Sequence, residues 1–287
     1  MGLPNNICIA GLGMIGGSLA AALKERGFGG EVTALVRSPQ TGERGCAMGL
    51  IDRYSTDANE LIPAAGIIVL AVPMLSMRTQ LQQIQGLVAD DAVITDAGSV
   101  KLPFIEDARA VFGSLEQIVP GHPIAGREQT GVAAADASLF HQRRVLLTPV
   151  AETRRSAVEL VSTLWKQAGA AVELLSADHH DRVLASTSHL PHVLAFALVD
   201  TLATQQEAEE IFRYAAGGFR DFTRIASSDP VMWRDVCLTN RDALLESMDA
   251  LTRHVGVLRQ AIEDGDAKRI ESIFARAKHA RDSYTKL

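Results

Sequence analysis

Short apolar runs rich in β-branched residues recur through the first half of the chain, at Ile7–Ala10, Val32–Val36, Ile67–Val72, Ala92–Asp96, Ile118–Val119, Val145–Thr148 and Ala171–Leu174. Segments with Leu, Ala and Ile at helical spacing separate them. Strands that alternate with helices predict a mostly parallel sheet covered on both faces. From Ala177 the strand signals stop, and apolar residues recur at helical intervals to the C-terminus, so the second part reads as all-α. Asp229-Pro230 reads as an N-cap and first-turn proline opening a helix that extends toward Ile262. Asp264-Gly265-Asp266 then ends it and caps the last helix. The expected fold is α/β: a doubly wound domain over residues 1–176 followed by an all-α domain over 177–287.

Gly11-Leu12-Gly13-Met14-Ile15-Gly16 follows the first strand and opens an apolar helix, Ser18 to Lys24. In that context the glycine spacing is the fingerprint of a Rossmann-type dinucleotide site. Gly11 permits a tight turn, Gly13 lets a pyrophosphate approach the backbone, and Gly16 lets helix pack on strand, while Met14 and Ile15 present free N–H groups at the helix start. Val72-Pro73 ends a parallel strand and joins the predicted cofactor contacts, since ligands in such folds bind at the carboxyl ends of strands. The second strand ends in Val36-Arg37-Ser38 where an NAD-selective site places a carboxylate. A guanidinium can fork onto a 2′-phosphate and a hydroxyl can add a bond, so NADP is expected over NAD. The competing reading of Arg37 is a solvated surface residue, or one that stacks on adenine.

At 287 residues, with 47% hydrophobic content, the chain can fill two cores. Its 28 basic and 34 acidic residues give −6 and it has only 5% aromatics, which offers little to nucleic acid or an anionic membrane. A small-molecule substrate fits better. Cys8, Cys46 and Cys237 are scattered and odd in number, as reduced packing thiols in the cytoplasm would be. The N-terminus lacks a signal-peptide pattern, and the run around Ile67 to Leu75 is too short to span a bilayer.

Four segments carry candidate chemistry: Asp96-Ala97-Gly98-Ser99-Val100-Lys101 after a strand, the loop Gly121-His122-Pro123-Ile124-Ala125-Gly126, Ser188-His189-Leu190-Pro191-His192, and Gly217-Gly218-Phe219-Arg220-Asp221-Phe222-Thr223-Arg224. In this order, and with Asp229-Pro230-Val231-Met232-Trp233-Arg234-Asp235, the sequence resembles the prephenate/arogenate dehydrogenases of tyrosine biosynthesis, the TyrA family, over nearly its whole length. The resemblance implies oxidative decarboxylation of a cyclohexadienyl acid, with hydride transfer from the hydroxyl-bearing ring carbon to the nicotinamide. At the matching positions His122 would accept the hydroxyl proton, and Ser99 would orient that imidazole and contact the nicotinamide side. Arg224 would hold a substrate carboxylate, and Lys101, Glu128 and His189 would line the pocket.

Elementary chemistry agrees with those roles. Alcohol oxidation needs a base near neutral pKa, and a positioned His supplies about 10²–10⁴-fold. A dianionic substrate needs a cationic anchor, for which Arg offers a bidentate grip. A carboxylate at Glu128 could pair with the ammonium of arogenate. The bland readings are ion pairs, of Arg224 with Asp221 or Asp229 and of Glu128 with Arg127 or another protein cation. His179-His180-Asp181 with His189 and His192 suggests no metal site, because adjacent helical His residues point in different directions. His192 reads as helix-start packing, His254 and His279 as helix surface, and Trp233 as core.

Two other functions compete. A β-hydroxyacid dehydrogenase of the 6-phosphogluconate type would place a Lys and an Asn one turn apart on the interdomain helix, and residues 177–200 contain neither. A non-catalytic NADP-binding regulator would need no base or anion clamp. A helical domain of this size, rich in Leu and Ala, is expected to bury its apolar faces against a second copy, as the resemblance also implies.

Overall fold

The computed structural model describes residues 2–284. Strand β1 (Asn6–Ala10) leads into helix α1 (Met14–Glu25), and β2 (Glu31–Leu35) into α2 (Pro39–Ala47). A short β3 (Arg53–Ser55) precedes β4 (Ile67–Leu70), α3 (Met77–Ile84), β5 (Val93–Asp96), α4 (Leu102–Phe112) and β6 (Ile118–Val119). These strands form one six-stranded parallel sheet in the order β3-β2-β1-β4-β5-β6. Side chains alternate across it: Ile7 and Ile9 enter one core with Leu19 and Leu23 of α1, while Cys8 and Ala10 enter the other with Met77 and Leu81 of α3 and Phe104 of α4. Burial on both faces explains why these strands read as continuous apolar runs.

Three further strands, β7 (Gly121–Pro123), β8 (Arg144–Leu147) and β9 (Ala171–Leu174), make a separate sheet, with α5 (Arg155–Gln167) between β8 and β9. β7 pairs with β8 antiparallel, placing His122 opposite Leu146, and β8 pairs with β9 parallel. His122 therefore sits on a strand, where the sequence suggested a loop. Pro120 alone separates β6 from β7, and its carbonyl accepts from Thr148 N at 2.9 Å, so the chain changes sheets there.

The remaining elements are helical, as expected from Ala177 onward: α6 (Ala177–Leu184), a π turn (Ala185–His189), α7 (Leu190–Ala203), α8 (Ala208–Arg213), α9 (Gly217–Thr223), a 3₁₀ turn (Arg224–Ser227), α10 (Pro230–Thr239), α11 (Arg241–Glu263) and α12 (Ala267–Tyr284). Asp229 caps α10 by accepting from Val231 N at 2.8 Å, as read. The helix expected to continue toward Ile262 instead ends at Thr239. The Asn240 side chain is turned inward and bonds to the Asp181 carbonyl, and the backbone leaves the helical region there.

By compactness the chain divides after Arg241. The second unit consists of the long α11 and of α12, joined through Asp264-Gly265-Asp266, and it exposes Val255, Val257, Ile262 and Phe274. His254 and His279 lie on its surface, as expected.

Candidate active site

A cleft of about 870 Å³ opens at the carboxyl ends of β1, β2, β4 and β5. Gly11, Gly13, Met14, Ile15, Arg37, Ser38, Val72, Pro73 and Ser99 line it, so the structure brings together all the expected cofactor contacts except Gly16. Gly11 adopts φ +97°, and a Cβ there would lie 2.5 Å from the Ala71 carbonyl oxygen. A Cβ on Gly16 would lie 2.1 Å from the Gly11 carbonyl oxygen and 3.0 Å from Ile9 Cγ2. Gly16 thus serves helix–strand packing. A Cβ on Gly13 would meet nothing within 4 Å, so the backbone there is open to an approaching pyrophosphate. These residues fit a dinucleotide. At the adenosine end Arg37 is exposed, and the Ser38 hydroxyl donates to Gln40 Oε1 at 2.6 Å.

His122 lies outside that lining, in a buried polar chain. Its Nδ1 is 2.9 Å from His180 Nε2, and His180 Nδ1 is 2.7 Å from Asp181 Oδ1. Asp181 also accepts from Lys101 N and Leu102 N, each at 2.9 Å. A carboxylate only accepts, so His180 donates from Nδ1. In the tautomer that pairs both contacts, His180 accepts at Nε2, His122 donates from Nδ1, and the lone pair of His122 rests on Nε2. Burial first, then the electrostatic influence of His180, Lys101 and His189, holds the His122 ring well below the ordinary imidazole range. It is therefore neutral at physiological pH, as a base must be.

His180 was not among the residues expected to act, and it is the residue that meets the Nδ1 of His122. Ser99 stays on the cleft wall, while the ring nitrogen of His122 is met by His180. The adjacent His179 and His180 do point apart, His179 being exposed and His180 fully buried. The useful signal was the spacing of His180 and Leu184, four residues apart on the buried face of α6.

Lys101 is likewise corrected. It is fully buried and donates to the Asp96 carboxylate and, at 2.6 Å, to the Gly121 carbonyl, so its ammonium faces protein and not the pocket. His189, in the π turn, is also fully buried. Asn240 Nδ2 donates to its Nδ1 at 3.0 Å, which puts the ring proton on Nε2, an atom without a partner among the described residues. Burial pushes its pKa down to about 4. Beyond it, His192 stacks on Trp233 with centroids 3.6 Å apart, so Trp233 is both core and platform.

Arg224 and Glu128 pair with each other, whereas Arg127 pairs with Asp136. The bland reading of Glu128 as partner to a protein cation is what the structure displays, and that cation is the expected carboxylate anchor. Glu128 also lines the cleft.

Comparison with known proteins places this geometry. Residues 19–174 match the family model of the prephenate dehydrogenase nucleotide-binding domain, and residues 176–276 that of its dimerization domain. A cyclohexadienyl dehydrogenase of Zymomonas mobilis is 36% identical over 278 residues, covering 96% of this chain and 94% of its own length. A prephenate dehydrogenase of Bacillus subtilis is 36% identical over 282 residues, covering 98% and 76%. The crystal structure of an A. aeolicus prephenate dehydrogenase, in complex with hydroxyphenyl propionate and NAD+, superposes with a TM-score of 0.91 at 33% identity, covering 98% of each chain. With both family models matched in order across the doubly wound and helical parts, this chain belongs to the prephenate dehydrogenase family of oxidoreductases.

Proposed function

We propose that the protein oxidises and decarboxylates prephenate, arogenate or both, giving 4-hydroxyphenylpyruvate or tyrosine. The observation that carries this reading is the His122–His180–Asp181 chain, which engages the Nδ1 of a buried imidazole and leaves its Nε2 to act as the base. When bound, the oxidised nicotinamide supplies the acceptor for the hydride that leaves the ring carbon. His122 Nε2 takes the hydroxyl proton as the hydride leaves. The electrons of the bond broken when the ring carboxylate departs as carbon dioxide close the aromatic ring and leave a phenolate oxygen, and that oxygen takes the proton back from His122. Aromatisation makes the step effectively irreversible. Ser99, on the cleft wall, would contact the nicotinamide side of the reacting carbon, and His189 would offer its Nε2–H to a substrate acceptor atom. Mixing the purified protein with each substrate and each oxidised cofactor, and following reduced nicotinamide absorbance, tests the assignment. No reduction in any combination overturns it.

Arg224 is the substrate-carboxylate anchor in this reading, and Glu128 occupies it until substrate arrives. The exposed pair is weak, so displacing it costs little. Arg224→Ala is expected to raise KM by about 10- to 150-fold, the range of a charged hydrogen bond of roughly 1.5–3 kcal/mol, with a smaller effect on kcat. Glu128→Gln is expected to lower kcat/KM for arogenate, whose ammonium loses its partner, more than for prephenate. An unchanged ratio removes Glu128 from substrate choice.

NADP is the preferred cofactor in this reading, although the A. aeolicus relative was crystallised with NAD+. Arg37 stands exposed at the cleft where a 2′-phosphate would sit, and no carboxylate follows β2 to repel it. The expected preference is roughly 10- to 150-fold in affinity. Equal or better kcat/KM with NAD overturns it.

The functional division lies near Ser176, with the helical part serving substrate and dimer. The helical segment Ala177–Ala203 is long and apolar enough to cross a membrane by length and composition, yet within α7 only Ala195 is buried. Its first turns carry His180 and Asp181 into the catalytic network. We assign its apolar second half, and the exposed apolar residues of α11 and α12, to contact with a second copy. Light scattering is expected to give a dimer at micromolar concentration, and a monomer contradicts the assignment. Cytoplasmic residence follows from the same biosynthetic reading.

A further inference from the structure

We propose that Asp96 and Lys101 form a buried positioning pair that holds the strand carrying His122 in register with the cofactor wall. The proposal rests on the reading of His122 as the base and deepens it. Both side chains are fully buried, and neither is explained by contact with substrate. Two charges withdrawn from water are tolerated only where each is fully paired, and here every pairing ends beside the chemistry.

Asp96 closes β5, and one of its oxygens, Oδ1, accepts from Gly121 N at 3.0 Å. The other, Oδ2, accepts from Gly98 N at 2.8 Å and from the Lys101 ammonium. Lys101 Nζ then donates to the Gly121 carbonyl at 2.6 Å. The pair thus grips both polar groups of the residue before His122, and on the other side it holds Gly98, the neighbour of Ser99 on the cleft wall. There is little slack, since a Cβ on Gly121 would lie 2.9 Å from the Asp96 carbonyl oxygen. The backbone N–H of Lys101 reaches the same base from the opposite direction, through Asp181 and His180.

An apolar pair of equal volume could fill this space. It would leave the N–H and carbonyl of Gly121 unpaired, and the β7 backbone would lose its fixed distance to Gly98. Because β7 is only three residues long, its ladder to β8 is a weak substitute for that clamp. Ion-pair chemistry is needed here because one group must accept from two backbone amides and its partner must donate to a carbonyl.

The test compares wild type with the charge-free double variant Asp96→Asn/Lys101→Met and with Lys101→Gln, after melting temperatures have set conditions where each is folded. The readouts are kcat per folded molecule, KM, and dinucleotide affinity by fluorescence titration. The expected result for the double variant is a cofactor affinity and KM within about threefold of wild type, with kcat lower by about a hundredfold, the loss for a catalytic group displaced by about 1 Å. A purely structural pair would lower the melting temperature and leave kcat per folded molecule unchanged. Retention of kcat within about threefold in an active background overturns the positioning role alone. Failure of both variants to fold assigns the pair to stability and also overturns it. A wild type inactive with every substrate and cofactor overturns the functional reading, and this proposal with it.

Discussion

His122→Asn is expected to fold, to bind the dinucleotide normally and to turn over at least about a hundredfold more slowly. The substitution is conservative for the network. An Asn amide N–H can replace the Nδ1 donor and satisfy His180 Nε2, so the buried chain through Asp181 keeps its bonds. What disappears is the Nε2 lone pair, and an amide oxygen is far too weak a base to replace it. The cleft residues that would hold the cofactor are untouched, because His122 is not among them. The pH profile adds a second check. His122 must be neutral to act, and burial, followed by its neighbours His180, Lys101 and His189, lowers its pKa, so wild-type rate should hold as pH falls through 6.5 and decline only below it. Normal turnover of the variant near neutral pH would show that some other group takes the proton.

How much of this was legible in the sequence depends on the range of the interaction. The parallel strands and the helices between them announce themselves because both faces of the large sheet are apolar, and the glycine turn because its sterics are local: Gly11 and Gly16 are excluded from carrying a side chain by atoms of the same βαβ unit. β3 and β7 were missed for the opposite reason. Arg53-Tyr54-Ser55 lies at a sheet edge with a polar sequence, and Gly121-His122-Pro123 is too short to show a period. Each side chain of the base network belongs to a residue type that is ordinary on a surface. That Lys101 turns inward to Asp96, that Asp181 receives the start of α4, and that Asn240 interrupts a helix to reach Asp181 and His189 are facts of tertiary packing. The family resemblance named His122, Ser99, Arg224 and Glu128, but neither it nor residue spacing named His180 as the partner of His122 or Glu128 as that of Arg224, since partner choice is settled by elements about 60 to 100 residues apart in the chain.

Asp181→Asn should be nearly as damaging as loss of the base itself, although Asp181 touches no substrate in the proposed mechanism. Its Oδ1 accepts from Lys101 N and faces His180 Nδ1, and its Oδ2 accepts from Leu102 N. An Asn can place its oxygen on only one side. With the oxygen at the Oδ1 position, the amide NH₂ confronts the Leu102 N–H and the start of α4 is strained. With the amide reversed, the NH₂ confronts the Lys101 N–H, so this orientation also leaves one backbone donor unpaired, and it faces His180, which relieves its own clash by moving its proton from Nδ1 to Nε2. His180 then donates to His122 Nδ1, and the proton of His122 is forced onto Nε2, the position that has to be empty. Loss of an imidazole's correct tautomer through the same carboxylate-to-amide change costs about 10⁴ in kcat in a serine protease. Here the loss should be about 10²–10⁴ in kcat, with cofactor affinity retained, because partial occupancy of the first amide orientation preserves some of the correct form. Nitrogen-15 NMR of histidine-labelled protein checks the cause directly: the wild type should show the His122 proton on Nδ1 and the variant a population with it on Nε2. A variant that keeps the wild-type tautomer, or loses less than about threefold in kcat, would show that Asp181 does not set the state of the base.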